Sequence, residues 1–315
     1  MIKIAILSRY QNTNSRGVES FVFELSQRLK QYFEVNILEG RDSDDLGKIL
    51  QGNYDIVMPM NGRMQSLKAS LGRIFGKYKL VIGGHSGIGR DDLWNIIVVR
   101  PDVFITLTQR QLHWAKSFGW GINIKKIPNG IDTDKFNPKG KKFEFDLPAP
   151  IILSVGELVW YKYHDRLIEA VSLLEKGSLV LVGSGEDKEN LEKLGIKKLT
   201  GRFKIIKANY EQMPEIYRGA DVFSLSSWDR EAFGLVYLEA LSSGLPVVAP
   251  DDDSRREIVG NAGVLVDTSH IVSYAKGLEK ALGQNFLDKS THQAEKFSWD
   301  KVFLMYKELF EKLNA

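Results

Sequence analysis

Short apolar runs alternate with stretches of helical periodicity along almost the whole chain, and the alternation starts afresh once. Apolar runs at 2–7, 34–38, 55–58, 79–83, 102–107 and 124–127 predict the first series of strands. A helix opening at Gly17-Val18-Glu19, with Phe21, Val22, Leu25 and Leu29 on one side, and a second over 108–118 fall between them. Residues 137–150 then combine three prolines, a glycine and a charge cluster without periodicity, which predicts a linker. A second series follows, with strands near 151–155, 178–182, 203–206, 221–225, 246–249 and 263–266. Its helices are expected near 161–175, 187–194, 211–219, 234–243, 254–259 and 271–282, and a final amphipathic helix carries Phe303, Tyr306, Leu309 and Phe310. Strands alternating with helices require parallel, doubly wound α/β sheets. Two such series predict two Rossmann-like domains with a crevice for ligand.

At 315 residues there is room for both domains, and 43% hydrophobic and 26% charged residues are the proportions of a globular protein in water. No apolar run reaches the ~20 residues of a membrane span. Met1 to Arg9 reads as a first strand and is too short for a secretory signal. Cysteine is absent, which removes disulfide and thiolate chemistry and fits a cytoplasmic location. Charge is uneven: residues 1–150 carry 22 Lys+Arg against 15 Asp+Glu, and the remainder 21 against 25. A basic first half predicts an acidic partner or substrate for it.

Several familiar sites are missing. No Gly-x-Ser-x-Gly elbow, no Gly-Lys-Ser/Thr phosphate loop and no zinc-spaced His/Cys set occurs. Gly183-Ser184-Gly185 follows a strand, but Lys188 stands where a dinucleotide fingerprint has its third glycine, so a strand-to-helix turn is the better reading. Asp251-Asp252-Asp253 reads either as a divalent-ion site or as a solvated loop before a helix. His85, among the glycines of 83–89 at a strand's carboxyl end, is either structural or a ligand contact. The segment 63–79 contains Arg63, Lys68, Arg73, Lys77 and Lys79 and no acid. Its Met64, Leu67, Leu71, Ile74, Phe75 and Tyr78 recur at helical spacing. It is either a solvated helix face or a contact for an acidic acceptor or anionic membrane surface, while charge alone makes no nucleic-acid module. The most informative stretch is 229–240, in which Glu231 lies in a loop and Glu239 eight residues on, about two turns into a helix that stops near Gly244. A loop carboxylate, Gly234 and a helix N-terminus together suit hydroxyls and an anion.

Taken with their surroundings, Glu231 and Glu239 resemble the paired glutamates of the retaining GT-B glycosyltransferases of the group 1 type, family 4. The resemblance runs through Gly17-Val18-Glu19 (with Arg16 in place of a glycine), 127–132, Phe136-Asn137-Pro138, 155–158 with Lys162, 182–186, 213–223, 256–259 and 263–266. It implies a first domain of 1–140 joined by the C-terminal helix 299–315, and a second of 150–298, facing a cleft. It implies transfer of a sugar from a UDP-, GDP- or ADP-sugar to a carbohydrate or lipid-linked acceptor, with retention and without cofactor or metal. Glu239 would accept hydrogen bonds from ribose, Glu231 would contact the sugar, and the backbone N–H groups of Phe233, Gly234 and Leu235 would face sugar and phosphate. Lys162 would lie against the diphosphate, Gly17 would approach it from the first domain, and His85 would reach the sugar. Arg202 and Tyr210 would flank the base. The catalytic set is thus Glu231, His85 and Lys162, in a cytoplasmic enzyme of glycan or glycolipid synthesis; a peripheral contact with the inner membrane face through 63–79 is a separate expectation from that basic segment, beside the solvated helix face.

One residue departs from the pattern. Glu157 stands where the family has a diphosphate-binding arginine, and an ionised glutamate offers phosphate only acceptors and like charge. Either another cation acts with Lys162, or Glu157 turns away onto a basic partner, or the site is degenerate and the protein only binds a sugar nucleotide or a partner. The neighbouring Trp160-Tyr161-Lys162-Tyr163 is unusually aromatic, as a stacking surface or a structural cluster.

Overall fold

The computed structural model describes residues 1–11, 17–227 and 231–314. Arg16 and the Asp229-Arg230 pair of the sequence reading lie outside the described residues. The chain divides into two units, Met1–Gly130 with Trp299–Ala315, and Ile131–Ser298.

In the first unit six parallel strands are ordered β2-β1-β3-β4-β5-β6. They are β1 (Lys3–Ser8), β2 (Glu34–Glu39), β3 (Ile56–Pro59), β4 (Lys79–Gly83), β5 (Val103–Thr106) and β6 (Asn123–Lys126). The order reverses between β1 and β3, the place where such sheets take ligands. On one face, α1 (Gly17–Leu29) and the C-terminal helix Trp299–Asn314 bury Phe21, Val22, Leu25, Tyr306 and Phe310 against Ile4, Ile6 and Val81. On the other lie α2 (Leu46–Gln51), α3 (Gly62–Gly72), α4 (Arg90–Trp94) with a π-turn at Asn95–Val99, and α5 (Gln109–Lys116).

Here 63–79 departs from expectation. The helix stops at Gly72, because Tyr78 folds back so closely that a Cβ on Gly72 would stand 2.2 Å from its hydroxyl. The buried side of α3 is Gln65, Ser66, Ala69 and Gly72. Gln65 takes the amides of Met60 (3.1 Å) and Asn61 (2.8 Å) on its Oε1 and donates to Ser43. These bonds fix the polar side inward, so Met64, Leu71, Ile74 and Phe75 are exposed. The basic side chains are also less free than their count suggests. Arg63 pairs with Asp91, Arg73 and Lys79 share Asp102, and Lys68 donates to the Asp44 carbonyl.

In the second unit the parallel order is β12-β11-β10-β7-β8-β9, the doubly wound order of nucleotide-binding sheets. The strands are β7 (Ile151–Val155), β8 (Ser178–Val182), β9 (Phe203–Ile206), β10 (Val222–Ser224), β11 (Val247–Pro250) and β12 (Gly263–Val266). Between them run α6 (His164–Ser172), α7 (Lys188–Lys198), α8 (Met213–Arg218), α9 (Leu235–Ser242), α10 (Asp253–Val259) and α11 (Ile271–Leu282), followed by α12 (Leu287–Glu295). Residues 137–150 belong to this unit and lie along α8: the Phe143 amide donates to the Glu215 carbonyl (2.9 Å), Arg218 donates to the Lys141 carbonyl (2.8 Å), and Phe145 is buried.

Candidate active site of the second unit

The order of the second sheet reverses between β7 and β10, so the loops leaving these two strands flank the place where ligand is expected. The loop after β7 carries Glu157 to Tyr163, and the loop after β10 leads to Glu231 and α9. Ser226 joins the two loops by donating to the Tyr163 carbonyl (2.9 Å). Across the junction the Lys162 ammonium and the Glu231 carboxylate form an ion pair that is only 15% and 20% exposed.

Gly234 sets the geometry of the helix start. Its φ is +88°, and a Cβ there would stand 2.6 Å from the Tyr237 ring. The chain therefore turns into α9 with Glu231 folded beside the turn, its Cγ 3.5 Å from that Cβ position. The free amides of the first turn of α9 accordingly sit beside a lysine, a carboxylate and a small residue. Phe233 is buried against Phe297, with centroids 6.0 Å apart.

Glu239 lies one turn into α9 rather than two, because the helix starts at Leu235. It is 8% exposed and accepts a hydrogen bond from the Tyr217 hydroxyl at 2.7 Å. Burial pushes its carboxyl up to about 7, against the opposing pull of Tyr217 and Lys135. Tyr217 is 5.9 Å from Phe136, which is 5.7 Å from Tyr210. Lys135 sits over the Tyr210 ring at 4.1 Å and pairs with Glu211. Tyr210 thus shares a wall with Glu239. Arg202 does not: it precedes β9 and donates to the Gly177 carbonyl (2.7 Å) before β8, at the amino ends of the strands. The expectation that it flanks the base is corrected by the parallel register, which puts the other candidate residues at the carboxyl ends.

Glu157 is exposed, and its carboxylate, second to burial, helps to push the Tyr161 hydroxyl up. Its carbonyl meets Nε2 of His164, a buried imidazole pushed down to about 4 and therefore neutral. Gly183 and Gly185 serve packing, since Cβ atoms there would meet the Gly156 carbonyl at 1.9 Å and the Leu158 carbonyl at 2.2 Å. The three aspartates are engaged: Asp252 caps α10 through the Arg255 amide, and Asp251 and Asp253 pair with Arg256. Among the described residues no group of three or more His, Cys, Asp or Glu could hold a metal.

Arg255 escaped the sequence reading. It is fully buried, pairs with Asp252 at 2.9 Å and donates to the Ser227 carbonyl (3.3 Å) and hydroxyl (3.2 Å), where the loop from β10 begins. In the sequence it sits within Asp-Asp-Asp-Ser-Arg-Arg-Glu, whose composition signals a solvated surface.

The other two candidates belong to the first unit. Gly17 is the exposed first residue of α1. His85, at the carboxyl end of β4, lies 4.5 Å from Phe21 one turn along that helix. Burial pushes His85 down to about 4, so it is a neutral imidazole near pH 7. Its buried Nε2 has no hydrogen-bond partner among the described residues, and a cavity of about 110 Å³ lined also by Arg63, Ser66, Asp91 and Asn95 opens beside it.

The profile of the family described as "Glycosyl transferases group 1" matches residues 136–297, half of the chain and nearly all of the second unit. The chain belongs to this family of group 1 glycosyltransferases. Among its relatives, the lipopolysaccharide core biosynthesis glycosyltransferase LpsE of Rhizobium meliloti is 31% identical over 177 residues, 55% of this chain and 52% of that protein. A GDP-mannose-dependent α-(1-6)-phosphatidylinositol monomannoside mannosyltransferase of Mycolicibacterium smegmatis is 28% identical over 259 residues, 71% of this chain and 66% of that protein. The matches thus span between half and two thirds of these curated relatives. Sucrose-phosphate synthase of Thermosynechococcus elongatus superposes with a TM-score of 0.85 over 99% of both chains at 18% identity. HepE of Anabaena, solved with UDP and glucose, gives 0.78 at 15% identity, covering 99% of this chain and 100% of its own. These structural neighbours bear out the two-sheet Rossmann-like, GT-B fold expected from the sequence.

Proposed function

We propose that the protein transfers a sugar from a nucleoside-diphosphate sugar to a carbohydrate or lipid-linked acceptor, with retention of anomeric configuration and without a metal ion. The observation that carries this reading is the Lys162–Glu231 ion pair beside the N-terminus of α9 at the sheet's reversal point. Breaking a bond from sugar to diphosphate builds negative charge on the leaving group and positive charge on the sugar. Once the bound donor has drawn the ammonium from Glu231, Lys162 and the first amides of α9 face the former, which stabilises the transition state more than the bound ground state. Glu231 serves sugar hydroxyls, and the oxygen of Glu239 left free by Tyr217 serves a ribose hydroxyl. Tyr210 offers a ring to the base. His85, in the first unit, holds a neutral imidazole rather than a titrating acid.

The reading as an impaired binding protein rested on Glu157. That side chain is exposed to solvent, where its charge is screened, so it need not oppose a diphosphate at Lys162. The acceptor class is suggested by the names of the two relatives, one acting in lipopolysaccharide core synthesis and one on a phosphatidylinositol mannoside. Incubation with UDP-, GDP- and ADP-sugars, reading released nucleotide, tests the proposal. One donor should turn over, and Glu231→Ala should abolish the release. Absence of both turnover and binding with every donor would refute it.

A further inference from the structure

We infer that the outer surface of the α3–α5 layer of the first unit is a docking face for an anionic lipid surface. The first observation is the inversion of α3: its polar and small side is locked inward by the Gln65 bonds, and its large apolar residues face water. Leu71, Ile74 (73% exposed) and Phe75 (75%) form this apolar end. The patch continues beyond the helix. Arg73 donates to the carbonyls of Val99 and Arg100, which brings exposed Ile97 and Val98 alongside. Arg100 donates to the Trp120 carbonyl (2.8 Å), and Trp120 is 81% exposed. Single exposed apolar residues are ordinary on a protein surface, but a linked set of six is not.

Charge selects the occupant. Residues 63–79 contain no acid, and the nearby Asp91 and Asp102 are already paired with Arg63 and Arg73. Lys77 and Lys116 are exposed and carry no ion pair among the described residues. An apolar patch with an exposed tryptophan and flanking lysines suits the interface of a membrane containing acidic lipids, where each cation adds attraction. A second copy meeting this face symmetrically would set two basic faces against each other. Docking through the layer's outer surface leaves the carboxyl ends of β4 and β5, with His85, uncovered.

The test uses the full chain, without donor, so its outcome is independent of the transferase reading. The protein is sedimented with vesicles of phosphatidylcholine alone and of phosphatidylcholine containing a quarter phosphatidylglycerol, alongside light scattering without vesicles. Binding to the anionic vesicles only is expected, with Ile74→Ser/Phe75→Ser lowering the partition coefficient at least about tenfold. Lys77→Glu should lower it severalfold, and salt should weaken binding further. All three positions are exposed, so the variants should keep their circular dichroism and unfolding midpoint. No binding to anionic vesicles, or equal binding of the double variant, overturns the proposal. A dimer that the double variant dissolves, with no vesicle binding, overturns it in favour of self-association.

Discussion

Glu239→Gln should make the protein more stable, and increasingly so as pH rises. The carboxyl group is 8% exposed, and burial raises it from 4.5 to about 7 despite the hydrogen bond from Tyr217. Because the folded-state value lies above the unfolded one, the folded state holds the proton more tightly. The stabilisation from this group is therefore complete below the unfolded value and is lost as pH rises through about 7. At about 1.36 kcal/mol per unit, the full span is about 3 kcal/mol, of which about 2.5 kcal/mol falls between pH ~5 and ~8.5. Glutamine keeps an oxygen for Tyr217 and cannot ionise, so it escapes that loss. Urea unfolding of both proteins at the two pH values measures the effect. The variant's advantage should be about 2.5 kcal/mol larger at the higher pH, or about 5–10 °C in the melting of a unit this size. An advantage that does not grow with pH, or that shrinks, would refute the burial argument. The same variant should bind nucleotide more weakly, since a neutral amide accepts ribose hydrogen bonds less strongly than a carboxylate.

Three further outcomes follow from the same geometry. Lys162→Ala should lower the rate of transfer by ~10²–10³-fold with the fold intact by circular dichroism; a loss under tenfold would remove Lys162 from the transition state. Gly234→Ala should destabilise by about 2 kcal/mol in urea unfolding, because a Cβ at a φ of +88° would meet the Tyr237 ring at 2.6 Å; a neutral substitution would contradict the tight turn. Arg255→Met should cost about 2–4 kcal/mol by unpairing Asp252 and releasing Ser227. It should lower transfer beyond that loss, read as a reduced kcat at a temperature where the variant is folded.

The strands were the legible part of the chain. Runs such as Ile151–Val155 and Ser178–Val182 are buried on both faces of a parallel sheet, and a continuous apolar run carries that signal without help from context. The helices α2 and α12 were not visible. Leu46–Gln51 is too short for periodicity, and Leu287–Glu295 buries Ser290, Gln293 and Ala294 rather than an apolar stripe. At the site, the spacing put Glu231 in the loop before a helix and Glu239 about two turns inside it, and the resemblance set Lys162 against the donor's diphosphate. Their actual pairing depends on the left-handed turn at Gly234 and on strand order, neither of which spacing encodes. Arg202 shows the same limit: proximity to β9 in sequence did not say which end of the sheet it occupies. Arg255 was hidden because burial of a charge depends on partners distant in sequence, here Ser227.

If the proposed donor is held here, the Lys162–Glu231 pair also acts as a filter on what the site admits. Its two charges cancel in a place where each is largely shielded from water. A bare anion that drew Lys162 away would leave Glu231 facing it without a counter-charge, a costly arrangement at low exposure. A ligand that carries both a diphosphate and a sugar satisfies both halves, with oxygens for the ammonium and hydroxyls for the carboxylate. Once the sugar has left, the remaining nucleotide satisfies only one. On the proposed function, the resting ion pair would favour entry of the complete donor over free phosphate and, after transfer, would re-form at the expense of the spent nucleotide, so the same contact that selects the substrate would help to expel the product.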